Sequence, residues 1–249
     1  NGYGHGSVQI AKSIANIKNV QFAVFSIDEA LELRKAKIKN EILVFSKLQK
    51  NNIELAYKKD IILNLSSFDD IEHIESFYLK NKVSPKYHLK FDTGMTRLGF
   101  DLNDAEAIYE SLSKPLHPYI EGIYTHFATA DEGDLSYAKK QLSDFKMVVR
   151  KVESFGLKFK FIHCSNSGAV LNLEKSYFNM VRVGMLLYGA LPSNEVIDNI
   201  GIKPVMSFCG SIVNVRKVKK NTPVSYGGVY KTASDTNIAV IQTGFADGF

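Results

Sequence analysis

Short β-branched and aromatic runs alternate with longer amphipathic stretches through the first two hundred residues of this chain. The runs predict strands at Gln21–Phe25, Ile42–Phe45, Ile61–Leu65, His88–Asp92, Ile120–Phe127, Phe159–His163 and Met180–Val183. Helical periodicity fills the gaps. Ser26-Ile27-Asp28-Glu29 opens one helix with a capping box. Asp69–Tyr78 sets Ile71, Ile74, Phe77 and Tyr78 on one face. Leu135–Phe155 is the longest, with Leu142, Phe145, Val149 and Val152 on its apolar stripe. Alternation at this pitch predicts parallel strands joined by right-handed crossovers. The Gly-rich turn Asn1–Gly6 runs into a helix over Val8–Ile17, the usual sequel to a strand in such folds. One more strand just before Asn1 would complete a (β/α)8 barrel over residues 1–200. An open doubly wound sheet is the alternative. After Ile200 the texture changes: Pro204–Val218 alternates apolar and polar residues, Asn221–Tyr230 is rich in turn formers, and Asn237–Gln242 is strand-like. Residues 201–249 therefore read as the start of an antiparallel β domain.

Composition narrows the class. Hydrophobic residues make up 45% and charged residues 23%, the mix of a soluble globular protein, which excludes disorder and collagen-like repeats. No run approaches the length of a membrane span, and the first residues lack the basic-then-apolar order of a signal peptide. The absent starting Met suggests a missing upstream segment. Two cysteines, Cys164 and Cys209, make no disulfide framework, so a cytoplasmic location is expected. The net charge of +5 comes from scattered lysines, with no basic stripe interleaved with aromatics, which argues against nucleic acid as a partner. Only 5 of the 31 basic residues are arginines, and such rarity marks places that need a planar, permanent cation.

In a parallel barrel, reactive groups collect where strands run out at their C-terminal ends. There the sequence puts Lys90, Asp92 and Arg97; then His126; then His163, Asn166 and Ser167; then Arg182 and Gly184. Each has an ordinary reading: a satisfied histidine, a helix cap, a surface salt bridge. Together they put two imidazoles, two guanidiniums, an amine and a cap on one rim. Ser167, with backbone N–H groups near Gly184 and Met185, suits a phosphorylated ligand, and Tyr3 would add a phenol from the opening turn. No zinc spacing is present, and His126 and His163 lack evident carboxylate partners for a metal.

With these motifs the chain resembles the alanine racemases, pyridoxal-phosphate enzymes of bacterial wall synthesis built from a barrel and a β domain. The resemblance runs through Asn1–Gly6, His88–Gly99, Thr125–Ala128, His163–Ser167, Val181–Gly184, Ser225–Gly227 and Gly244–Gly248, in that order. It implies pyridoxal 5'-phosphate as cofactor, bound by Tyr3, His163, Asn166, Ser167, Arg182, Gly184 and Met185. It implies a two-base reaction that interconverts L- and D-alanine and supplies D-alanine for peptidoglycan. Tyr226 would be one base, assisted by His126, itself linked to Arg182. The other would be the family's cofactor-binding lysine, two positions before the residue matching Asn1.

Arg182 would face the pyridine nitrogen and leave it unprotonated, limiting side reactions such as transamination. Arg97 would meet the substrate carboxylate, steadied by Lys90, a position carbamylated in some members; an ion pair of Lys90 with Asp92 is the plainer alternative. Because the tyrosine reaches the other subunit's rim, the resemblance implies a homodimer with shared active sites. Gly2 stands where alanine is usual, a mild loosening of the turn, and Phe245 stands where tyrosine is common, a loss of a hydroxyl that bears on substrate selection rather than reaction type. Other readings are a racemase of serine, lysine or several amino acids, a non-catalytic cofactor-carrying barrel, and a decarboxylase on a related architecture. The segment after Pro204 argues against the second and Arg182 against the third.

Overall fold

The structure is a computed structural model that describes residues 1–112, 114–197 and 200–248. It divides into two compact units, Asn1–Val205 and the segment from Met206 onward.

The first unit is an arc of parallel strands wrapped by helices. Strands β1 (Phe22–Val24) and β2 (Ile42–Val44) pair in parallel, and β3 (Leu63–Leu65), β4 (Tyr87–Lys90), β5 (Ile120–Tyr124) and β6 (Phe161–His163) form a parallel four-stranded sheet. Single bridges, Leu43 to Ile62 and His163 to Met180, continue the arc at both ends. Every neighbour is the next strand in sequence. A doubly wound sheet reverses its strand order at a switch point, and none occurs here, so the arc is that of a barrel.

The stretch Met180–Val183 does not form the expected strand. It meets β6 through the one bridge at Met180 and through the Arg182 N–H, which donates to the Ser165 carbonyl at 2.8 Å. Val181 and Val183 stand 40% and 42% exposed, so this run lacks the packing that makes a strand.

Helices α1 (Ser7–Ile14), α2 (Ile27–Lys35), α3 (Ile53–Lys58), α4 (Phe68–Asn81), α5 (Ala105–Ser111), α6 (Ser136–Ser154) and α7 (Ser167–Asn172) follow the strands. The Ser26 capping box opens α2 as the sequence predicts. Ile71 and Ile74 of α4 are buried, as are Leu142, Phe145, Val149 and Val152 of α6. These side chains and the outward residues of the strands, Leu63, Leu65, Tyr87, Leu89 and Ile123, make one continuous apolar core.

Alternation then decides the barrel interior. With Tyr87, Leu89 and Ile123 turned to the helices, Asn64, His88, Lys90, Gly122, Tyr124 and His163 must point inward. The interior is therefore polar where such barrels usually pack branched aliphatics. At the N-terminal ends of the strands Lys86 meets Glu121 at 2.8 Å and Lys160 meets Glu41 at 2.9 Å, an alternating ring of charge opposite the reactive rim.

The second unit pairs β7 (Ile212–Val218) with β10 (Thr236–Ile241) and β8 (Pro223–Val224) with β9 (Tyr230–Lys231), all antiparallel. Residues 204–211, which share the alternating pattern, are not in a strand.

Asp70 locks the entry of α4. Its carboxylate accepts from the Ser66 backbone N–H at 2.8 Å and pairs with Lys47 at 2.6 Å, and the residue is fully buried. Asp70→Ala orphans that N–H and lowers unfolding stability by about 2 kcal/mol, measurable by urea titration.

Candidate active site at the strand ends

The site is built around Arg182. Its Nη1 donates to His163 Nδ1 at 2.7 Å, and its Nη2 reaches the Thr125 carbonyl at 2.8 Å, the Cys164 carbonyl at 3.2 Å and His126 Nδ1 at 3.3 Å. The guanidinium also lies 5.3 Å from the Tyr124 ring and 6.0 Å from that of Phe45, within cation–π range. Its Nε–H donates to none of these groups. Among the described residues no carboxylate pairs with Arg182. Burial draws its pKa downward.

Two imidazoles stand on either side. His163 lies beneath the rim: its ring is fully buried, stacks on Tyr124 at 4.8 Å and 3°, and its Nε2 meets His88 Nδ1 at 2.9 Å. Both of its nitrogens are therefore spent inside the protein. His126 is half-buried, just past β5. Burial, and then the charge of Arg182, push His126 down to about 3 and hold His163 well below its ordinary value. His88 is likewise lowered to about 3 by burial, with Arg182 and Lys160 adding to the effect. All three rings are neutral at physiological pH.

Lys90, Tyr124 and His163 share one register row across β4, β5 and β6. Lys90 is buried with its Nζ 5.6 Å from the Tyr124 ring centre, and burial, then Arg97 and Arg182, bring its pKa down to about 8. The ion pair with Asp92 is not formed. Asp92 Oδ1 instead accepts the N–H groups of Gly94, Met95 and Thr96, at 2.8, 2.8 and 3.1 Å, and Oδ2 that of Arg97 at 3.0 Å. The loop closes where Phe100 N–H donates to the Lys90 carbonyl at 2.8 Å and Asp92 N–H to that of Phe100 at 3.0 Å. Arg97 is thus carried, exposed, on a tight loop whose shape Asp92 dictates.

The other candidates form a second cluster. Asn166 caps α7, accepting the Ala169 N–H at 3.0 Å, and Ser167 Oγ accepts the Gly184 N–H at 3.0 Å. That N–H, expected to be available to a ligand, is held by Ser167. Met185 opens a 3-10 helix, Met185–Tyr188, whose first N–H groups have no partner within the helix. Tyr3 sits in the opening turn at φ 54°, a left-handed conformation that costs a non-glycine residue about 1 kcal/mol. Its ring lies 5.3 Å from that of Tyr188, and its hydroxyl would be 2.5 Å from a Cβ at residue 184, so only glycine admits the phenol there. Hydroxyls of Tyr3 and Ser167 and the start of a helical turn therefore converge without a carboxylate among them, which fits a phosphate. The unspent Nε–H of Arg182 fits a heterocyclic nitrogen acceptor.

Tyr226 belongs to the second unit. It opens the turn Tyr226–Gly228 after Ser225, and its side chain is 96% exposed.

Sequence reasoning passed over Tyr124, whose hydroxyl donates to Asn64 Oδ1 at 2.9 Å, and His88 as the neighbour of His163. The signal was an inward period-2 polar position. It also passed over Gln141, for which the helical pattern carried no signal beyond a polar residue on an apolar face. Among the described residues no cluster of His, Cys, Asp or Glu is placed to hold a metal ion, and no helix is long and apolar enough to cross a membrane.

Residues 1–192 match the family model described as alanine racemase, N-terminal domain, and residues 205–249 the one described as alanine racemase, C-terminal domain. The chain is 35% identical to alanine racemase 2 of Caldanaerobacter subterraneus subsp. tengcongensis, covering 100% of this chain and 64% of the relative. It is 37% identical to the alanine racemase of Desulforamulus reducens, covering 100% of this chain and 68% of the relative. Among solved structures, the alanine racemase of Clostridium difficile 630 superposes with a TM-score of 0.83 at 33% identity, over 100% of this chain and 65% of that one. That of Streptomyces lavendulae gives 0.85 at 28% identity, over 100% and 66%. The chain spans about two thirds of the length of these relatives. The model match over residues 1–192 covers well over half of the sequence, and the chain belongs to the alanine racemase family.

Proposed function

We propose that the full-length protein is a cytoplasmic pyridoxal-phosphate-dependent alanine racemase, interconverting L- and D-alanine and supplying D-alanine for peptidoglycan. The observation that carries this reading is the guanidinium of Arg182, tied to neutral imidazoles, without a carboxylate partner among the described residues and with its Nε–H unspent. Tyr3, the hydroxyl of Ser167 and the first N–H groups of the turn that Met185 opens would hold the phosphate, with Asn166 keeping Ser167 at the head of α7. When bound, the cofactor supplies an electron sink for the bond to the α-hydrogen.

The residues of this chain set where protons go. An arginine only donates, so His163 Nδ1 accepts and its single proton sits on Nε2. That proton is donated to His88 Nδ1, which leaves the proton of His88 on Nε2. By the same argument His126 accepts at Nδ1 and carries its proton on Nε2, available to a partner outside. In this reading the partner is the hydroxyl of Tyr226. A free phenol has a pKa of about 10, and a hydrogen bond from His126 backed by the charge of Arg182 favours its deprotonated form. Tyr226 works one face of the substrate, and the family's lysine before Asn1 works the other. Arg97 takes the substrate carboxylate. The exposed phenol of Tyr226 supports a homodimer in which each tyrosine serves the partner's rim.

The test is a D-amino-acid-oxidase-coupled assay of the full-length protein with cofactor, run in parallel on L-alanine, L-serine and L-lysine. Turnover confined to alanine supports the reading; preference for serine or lysine replaces the substrate, and no turnover rejects the activity. Tyr226→Phe lowers kcat by about a hundredfold or more while cofactor absorbance is retained. Arg182→Glu raises transamination relative to racemisation, followed as the ratio of keto acid to D-alanine.

The neutral histidines also make folding acid-sensitive. As pH falls below about 6.5 the unfolded chain takes up protons that the buried rings refuse, so stability is full above that pH and is lost on acidification. With its pKa at about 3, His88 alone contributes about 2 kcal/mol of this loss near pH 5. Urea unfolding at about pH 7 and pH 5 measures it, and His88→Phe flattens the difference.

A further inference from the structure

We propose that Gln141 is a positioning residue that sets His126 and the Arg97 loop in place together. The inference rests on the racemase reading and deepens it.

Gln141 lies in the interior of α6 and is fully buried, on the same face as Ala138, Leu142 and Phe145. A primary amide in such surroundings is tolerated only when its groups are hydrogen-bonded. Oε1 accepts the Ala128 N–H at 3.0 Å, while Nε2 donates to the His126 carbonyl at 3.2 Å and to Thr93 Oγ1 at 3.3 Å. Only this orientation of the amide matches an acceptor to the N–H and donors to the carbonyl. A carboxylate cannot donate to the His126 carbonyl, and an aliphatic chain makes none of the three bonds.

The bonds fall on both sides of Phe127, so the backbone leaving His126 is held at two points. Thr93, the third partner, is also joined to Thr125 through their hydroxyls at 2.8 Å. It directly follows Asp92, whose carboxylate shapes the loop bearing Arg97. One helical turn earlier, the Tyr137 hydroxyl donates to the Gly94 carbonyl at 3.0 Å, fastening the same loop farther along. Helix α6 therefore spans the exits of β4 and β5, and Gln141 bonds to both. His126 has little tolerance for displacement, since its contact with Arg182 is already 3.3 Å. Swinging the His126 backbone breaks that contact and re-aims the Nε2–H.

Gln141→Met and Gln141→Glu in the full-length protein test this. The expected result is a cooperative melting transition in both, with kcat for alanine falling about tenfold, a smaller rise in KM, and a shift of the basic limb of the pH–rate profile. Long-range 1H–15N spectra of the cofactor-free protein report the His126 ring without reference to activity. Wild type shows a single Nε2–H tautomer, and the variants show averaged nitrogens. Should Gln141→Met not fold, Gln141→Glu, identical in shape, decides. Unchanged kcat, pH profile and His126 spectrum overturn the proposal. A wild type without racemase activity defeats the functional reading instead, and the His126 spectrum still decides whether Gln141 places the ring.

Discussion

A permanent cation fastened to uncharged partners governs this rim. Arg182 sits on two neutral imidazoles, two carbonyls and two aromatic faces, with no carboxylate among the described residues to absorb its charge. Burying a charge in this way is unfavourable unless its donors are satisfied. The partners of Arg182 engage one N–H of Nη1 and both of Nη2, and leave the second N–H of Nη1 and the Nε–H without a partner among the described residues. Removing His163 or rotating His126 would loosen the guanidinium; adding a carboxylate would quench it. The neighbours of Arg182 are thus fixed in kind as well as in place.

That constraint explains the polar interior. Rows of inward side chains run across β4 to β6, and the row nearest the mouth is Lys90, Tyr124 and His163. Tyr124 lies flat against His163 and offers its face to both Lys90 and Arg182. A packed aliphatic layer here would give the imidazole no acceptor and the guanidinium no aromatic wall. The apolar core lies outside the strands, against the helices, and it supplies the rigidity that lets the inside be polar. The fold thereby separates the layer that stabilises from the layer that reacts.

Much of this was legible in the chain. The capping box at Ser26, the apolar stripes of α4 and α6, and six of seven strands follow from local periodicity, because those signals depend on near neighbours. Met180–Val183 reads as a strand by composition and is not one, since strand formation is decided by packing that composition does not report. The partners were harder still. Lys90 and Asp92 look like an ion pair at two-residue spacing, yet alternation turns Lys90 inward while Asp92 collects four backbone N–H groups of its own loop. His163 reads as a rim group and lies below it, because a ring stacked on Tyr124 and bonded at both nitrogens has no edge left for a ligand. Gln141 carries no local signal at all: its meaning is in the loops it touches, 48 and 13 residues away.

Neutrality of the histidines has a further consequence for a reaction that inverts a stereocentre. Such chemistry needs one proton carrier on each face and silence everywhere else, for any third acid or base near the carbanion offers a wrong route. Imidazoles are ordinarily the side chains most ready to exchange protons near neutral pH. Here Arg182 donates into the Nδ1 of His163 and of His126, and an imidazole already accepting there from a permanent cation cannot take up a second proton at that nitrogen. The remaining proton of His163 is committed to His88 and lies buried, beyond reach of the mouth. The guanidinium thereby turns two potential acid–base groups into fixed donors. On the proposed reading, this confines proton exchange to the tyrosine and the lysine, and the same locking that holds the arginine still also keeps its neighbours out of the reaction.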